Sequence, residues 1–213
     1  MRQYYKTSKL PYDPEVARRH LMRADPIIGR VVKDIGPTDL RRRGTPYQSL
    51  FRALLYQQLA GAAAATIERR LLALFEGRVP EPLELLATPF ETLRSVGLSR
   101  QKASYMHSLA EHFSNGEVSN RTIARMADDA VIERVTQIKG IGRWTADMLL
   151  LFSLGRPDVL PVGDLGVQKA VEDLYKLDKL PDPATMTEIA EPWRPYRSVA
   201  SWYLWRSRDT LTL

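Results

Sequence analysis

The stretch that most constrains this chain runs from Gln137 to Gln168, QIKGIGRWTADMLLLFSLGRPDVLPVGDLGVQ. Gly140 and Gly142 flank a single isoleucine, with helical apolar patterns on either side. Two glycines this close permit a tight turn with positive φ and close approach of another backbone. The N–H groups that open the helix at Arg143 lack partners within the helix and carry the positive end of its dipole. Together these make an anion site suited to a DNA phosphate, through Gly140, Gly142, Arg143 and Thr145. Such contacts position a protein without reading base sequence. A bare Gly-x-Gly would be an ordinary helical corner; the longer string Ile138 to Asp147 favours the phosphate site. Asp164 follows 22 residues after Gly142. An aspartate on the helix after such a hairpin can act on the sugar that the phosphate carries, so the pairing points to an enzyme working on DNA.

Charge agrees with a polyanion partner. The net charge of the 213 residues is +6, and residues 1–45 hold 11 Lys/Arg against 5 Asp/Glu, so the excess lies in this N-terminal segment, which includes Arg41-Arg42-Arg43. A basic arm on a neutral body suits DNA; a solvated terminus would look the same. The absence of cysteine rules out disulfides, thiolate zinc sites and iron–sulfur clusters, and three scattered histidines argue against a histidine metal site. No apolar run approaches the roughly 18 residues of a membrane span. The N-terminus lacks an apolar leader, so the expected compartment is the cytoplasm (with the nucleoid) or the nucleus, not outside the cell.

The pattern is helical nearly throughout, which predicts an all-α fold of two helical lobes with a cleft between them. Helices are expected over 14–23, 26–34, Tyr47–Leu59, Ala62–Phe75, Leu83–Ala87, Pro89–Ser95, Ser99–Phe113 (Ser99 as N-cap), Asp128–Thr136, Arg143–Leu154, Asp164–Tyr175 (Asp164 as cap), Ala184–Glu191 and Tyr196–Arg208. Val159-Leu160-Pro161-Val162, between Pro157 and Gly163, reads as a loop. Residues 1–45 are expected to form a basic helical segment packing on a body of residues 46–213, with the hairpin at 137–143.

KGIGRWTAD followed by LPVGDLGVQKA resembles the helix-hairpin-helix DNA glycosylase superfamily. Within it the resemblance is to the 3-methyladenine DNA glycosylase II branch, which removes alkylated bases. Three further stretches carry it: Tyr56-Gln57-Gln58-Leu59, Ser95 to Ala103, and Glu191 to Ser198 with its Trp-Arg-Pro-Tyr-Arg-Ser block. The resemblance spans roughly residues 46–208, in the family's order. The long enzymes of the branch carry a further β-rich domain, for which 45 residues leave no room, so this is a short form.

The resemblance assigns roles residue by residue. Asp164 matches the catalytic aspartate, although an aspartate before a helix is commonly just a cap. Base removal passes through an oxocarbenium-like state that a carboxylate stabilises, and the same group can orient or deprotonate water. Superfamily members that also cut the strand carry a lysine nucleophile where this chain has Trp144; Lys139, before the first hairpin glycine, is a poor substitute. Simple hydrolysis is therefore expected, with no cofactor. Trp144, Met148 and Trp193 are the candidate base pocket, since aromatic faces attract a cationic alkylated base; core packing is the alternative for each. Tyr105, Trp202 and Tyr203 are weaker candidates, more in keeping with core. Leu59, with Gln58 beside it, is the candidate wedge that fills the gap left by a flipped base; by pattern alone Leu59 would be a helix-end core leucine. By resemblance, backbone carbonyls of Thr136, Ile138 and Ile141 could hold a monovalent cation.

The implied function is a monofunctional glycosylase acting as a monomer on double-stranded DNA containing alkylated bases. N3- and N7-alkylpurines are the default lesions; 1-methyladenine or 3-methylcytosine would suit an open pocket. A bifunctional glycosylase–lyase for oxidised bases, or a non-catalytic helix-hairpin-helix DNA-binding module, are the other readings.

Overall fold

Short side-chain caps and prolines, more than long apolar runs, set where the helices begin. The computed structural model describes residues 5–59 and 61–211, with side chains to Arg208. Among these residues the helices are, in order, α1 (Pro14–Ala24), α2 (Pro26–Ile35), α3 (Pro46–Tyr56), α4 (Gly61–Ala73), α5 (Pro82–Ala87), α6 (Phe90–Ser95), α7 (Arg100–Ser114), α8 (Asn120–Arg125), α9 (Asp128–Val135), α10 (Arg143–Met148), α11 (Leu165–Tyr175), α12 (Pro183–Ile189) and α13 (Arg197–Leu211). Two two-residue strands, β1 (Thr7–Ser8) and β2 (Arg42–Arg43), pair as a small sheet. Asp13, Asp25, Thr45 and Asp182 each cap a helix whose first position is proline. Proline's missing N–H costs nothing there, and the cap oxygen satisfies a donor deeper in the first turn. No described helix is long and apolar enough to cross a membrane.

The chain divides into two units at places other than residue 45. One comprises the chain up to Thr7 with Arg43–Leu149; the other comprises Ser8–Arg42 with the chain from Leu150 onward. The expected split into a 1–45 segment and a 46–213 body is therefore redrawn. The reason is packing: Ala17 and Leu21 of α1 and Ile28 and Val32 of α2 join Val167 and Val171 of α11 and Val199, Tyr203 and Leu204 of α13 in one buried cluster. The basic N-terminal helices thus form one wall of a core whose other wall is C-terminal. In the first unit, α7 packs against α3 and α5, with Leu50, Leu54 and Leu55 of α3 and Ala103, Met106 and Leu109 of α7 all buried.

Three local features depart from the expected elements. Asn120–Arg125 is helical, a six-residue polar segment held by the capping box of Ser119 and Thr122, which periodicity does not reveal. The stretch expected to continue α10 to Leu154 is π-helical over Leu149–Leu154. And α3 stops at Tyr56, three residues before Leu59.

Candidate active site

The end of α3 lies in the first unit. Gln57 takes φ −53° and ψ 133°, and Gln58 enters the left-handed region at φ 55°, so Tyr56–Leu59 is a tight turn closed by the Leu59 N–H donating to the Tyr56 carbonyl at 3.3 Å. A left-handed glutamine is uncommon and costs backbone energy, a pattern found at ligand-contacting sites. Gln58 is exposed at the tip, and Leu59 is half-buried beside it. The side chain of Gln57 points the other way: its carboxamide N–H donates to the Gly140 carbonyl at 2.8 Å. Lys102 of α7 donates to the Leu55 carbonyl, and Tyr56 donates to buried Glu68 at 2.7 Å. Burial pulls the Lys102 ammonium below its ordinary pKa.

The Gln57 bond joins the turn to the hairpin. Gly140 has φ 85°, and a Cβ there would come within 2.3 Å of the Tyr105 ring. Glycine is thus required twice, by conformation and by space. Gly142 differs: it is extended at φ −103°, exposed, and a Cβ there would meet nothing. Among the described residues nothing demands glycine at 142. Ile138 and Ile141 anchor the hairpin in the core, the Ile141 N–H donating to the Ile138 carbonyl at 3.0 Å. Thr136 C-caps α9 just before it.

Helix α10 follows the hairpin. Arg143 is exposed and its guanidinium donates to buried Asp147 at 3.0 Å. Burial raises the Asp147 pKa, with Arg143 opposing the shift. Thr145 is buried, so it offers an anion only its backbone N–H. Trp144 is 49% exposed, and Met148, one turn on, is half-buried.

Asp164 belongs to the second unit. It N-caps α11, its Oδ1 accepting the Val167 N–H at 2.9 Å, and the same oxygen accepts the indole N–H of Trp205 at 2.8 Å. It is 9% exposed. Trp205 is itself fixed by stacking on Phe152, with ring centroids 5.7 Å apart. Gly166 keeps this corner small, since a Cβ there would lie 3.1 Å from Asp164 Oδ1 and 3.2 Å from Trp205 Cδ1. Leu165, next to Asp164, leaves 55% of its surface exposed. The loop leading to Asp164 is tied down by the Trp-Arg-Pro-Tyr-Arg-Ser block. Arg194 and Arg197 pair with Asp158 at 2.6 and 2.7 Å, and Ser198 accepts from the Val159 N–H and donates to the Arg156 carbonyl.

The structure corrects one expected pocket residue. Trp193 is 0% exposed in the second unit's core, its indole N–H donating to Asp25 at 2.9 Å. Asp25 also accepts from Tyr175 and caps α2, so Trp193 completes a buried knot that orders the fold rather than offering a face to a base. Tyr203 and Trp202 are core as well, and Tyr105 is the buttress of Gly140. Trp205 was not legible as a site residue: it lies 41 residues from Asp164, in no motif, and only the folded packing of α13 brings them together. Among the described residues no group of three or more His, Asp or Glu gathers to hold a metal ion.

Known proteins place this arrangement. The HhH-GPD superfamily of base excision DNA repair proteins matches residues 51–195. DNA-3-methyladenine glycosylase 1 of Schizosaccharomyces pombe is 38% identical over 196 residues, 90% of this chain and 86% of that protein. A second protein of that yeast, an alkylbase DNA glycosidase-like protein, is 30% identical over 91% of this chain and 93% of its own length. Among solved structures, Schizosaccharomyces pombe 3-methyladenine DNA glycosylase in complex with abasic DNA has a TM-score of 0.79 at 36% identity, covering 91% of this chain and 97% of that one. DNA-3-methyladenine glycosidase from Bacillus halodurans has a TM-score of 0.84 at 33% identity, covering 100% and 94%. On the hairpin, the capped aspartate and these matches together, the chain belongs to the HhH-GPD superfamily of base excision DNA repair proteins.

Proposed function

We propose that this protein is a monofunctional DNA glycosylase that flips alkylated bases out of duplex DNA and hydrolyses their N-glycosidic bonds. One observation carries the reaction type. A carboxylate, Asp164, is fixed by a helix N–H and an indole N–H, while the first turn after the hairpin offers Trp144 where a lyase needs an amine. Asp164 stabilises positive charge growing on the deoxyribose and orients the attacking water. Its own hydrogen bonds hold it in place without supplying a proton to the leaving base, and a base carrying a positive charge needs none. Exposed Trp144 offers an aromatic face for that charge, with Met148 beside it. The hairpin N–H groups from Gly140 to Thr145, with Arg143, take the phosphates, and Gln58 with Leu59 fills the vacated stack. The backbone carbonyls of Thr136, at the end of α9, and of Ile138 and Ile141, in the hairpin, are hard, neutral oxygen donors of the kind a monovalent cation takes. The substrate class follows the relatives, both named for alkylated bases.

The test is incubation of duplex DNA containing 3-methyladenine or 7-methylguanine with the protein, followed by alkali. Strand breaks that appear only after alkali are the expected result. Breaks without alkali would replace this reading with a lyase, and no breaks at all with a DNA-binding module.

A further inference from the structure

Adjacent glutamines at 57 and 58 are used in opposite directions. Gln58 points outward at the tip of its turn, with φ 55°. Gln57 points inward, and its carboxamide N–H reaches across 83 residues of sequence to the carbonyl of Gly140. Gly140 sits against Tyr105, which occupies the space its side chain would fill, and Tyr105 is itself bonded to Gln101. The other braces nearby, Lys102 on the Leu55 carbonyl and Tyr56 on Glu68, hold the last turn of α3 and do not reach the hairpin. Among the described residues, the backbone bonds beyond Tyr56 are those of the Gln57 N–H to the Ala53 carbonyl at 3.2 Å and of the Leu59 N–H to the Tyr56 carbonyl at 3.3 Å, with Gln58 strained at positive φ between them.

We propose that Gln57 is a positioning residue that locks the DNA-inserting turn to the phosphate-binding hairpin. This rests on the glycosylase reading for its setting in catalysis. Phosphates held by the hairpin fix one point on the duplex. A rigid link from hairpin to turn then fixes where Gln58 and Leu59 meet the base stack, without the turn having to order itself on the DNA. Ordering a loop at the moment of binding costs conformational freedom, so a turn tied in advance inserts more readily. Gln57 touches neither base nor sugar in this scheme. Its effect should vanish when there is no stack to enter, or when the inserting side chains are gone.

The test compares Gln57→Ala and Gln57→Glu with the parent. The glutamate variant keeps size but turns an oxygen, in place of the N–H donor, toward the Gly140 carbonyl. Each is made alone and together with Gln58→Ala and Leu59→Ala. Loss of a bond of this kind should slow single-turnover release of 7-methylguanine from paired duplex about tenfold. Release from single-stranded DNA should change by less than about threefold, and neither variant should slow the Gln58→Ala/Leu59→Ala protein further. Equal slowing on both substrates, or full additivity with the turn variants, would overturn the proposal. A second measurement needs no catalysis: the fluorescence of 2-aminopurine next to a tetrahydrofuran abasic analogue, which rises when a side chain enters the gap. The parent should raise it and both Gln57 variants should raise it less at saturating protein; an undiminished signal overturns the proposal. A parent that enters the gap but releases no base would refute the glycosylase reading and leave the role of Gln57 standing.

Discussion

At the scale of single residues, the site turns on one oxygen. Asp164 Oδ1 accepts both the Val167 N–H and the Trp205 indole N–H. In the proposed mechanism the carboxylate that caps α11 is also the one that acts on the sugar, and a substitution can separate the two roles. Asparagine caps as well as aspartate, so Asp164→Asn should melt close to the parent. With its charge gone, release of alkylated bases should fall on the order of a hundredfold or more, while lesion DNA still binds. Release near the parent rate would remove Asp164 from the chemistry. Trp205→Phe is the gentler change, keeping a ring against Phe152 and deleting only the N–H. A hydrogen bond to a charged group is lost, so excision should slow about tenfold or more, with stability lowered by about 1.5–3 kcal/mol. An unchanged rate would mean that the indole bond is not needed to orient Asp164.

At the scale of elements, the hairpin and the turn show what a sequence can and cannot declare. The turn at Gly140 and the caps at Asp164 and Ser99 were legible, because turn and cap chemistry act within a few residues. The end of α3 was not: Gln58 bends the chain without a glycine or proline to mark it. Nor were the roles of Trp193 and Trp205 legible, since one tryptophan looks like another until α13 and the loop before it pack. Trp193 is spent on Asp25 and Trp205 on Asp164, with separations of 168 and 41 residues. The two hairpin glycines allow a paired test. Gly140→Ala puts a Cβ into Tyr105 at positive φ, so it should lower stability by about 1–3 kcal/mol from backbone strain alone, with the clash added. Gly142→Ala meets nothing and keeps an ordinary φ, so its stability should stay within about 0.5 kcal/mol of the parent. On the proposed phosphate site its affinity for undamaged duplex should nonetheless fall, because the new methyl would crowd the approach to the hairpin N–H groups. Thermal melts alongside binding titrations decide it, and a Gly142→Ala protein that binds as tightly as the parent would move the phosphate site elsewhere.

At the scale of the whole molecule, the charge asymmetry takes on a different meaning once the core is known. The positive excess of residues 1–45 reads from sequence as a basic helical segment packing on the body. In the structure α1 and α2 lie in the core shared with α11 and α13, so deleting the segment would strip the wall of a unit that carries Asp164. Its DNA role has to be read from point changes that spare this core. Lys9, Arg41 and Arg43 are exposed, whereas Arg18 is paired with Glu15 and Arg42 donates to Ser8. Lys9→Gln, Arg41→Gln and Arg43→Gln combined should leave the fold intact. Every DNA phosphate deprived of its cation should flatten the slope of log affinity against log salt by about 0.9. The expected outcome is a shallower slope on undamaged duplex of any sequence, with the single-turnover rate at saturating protein little altered, because these cations hold the backbone and leave the sugar to Asp164. An unchanged slope in the folded triple variant would make the N-terminal charge a solvated face and leave phosphate binding to the hairpin and its neighbours.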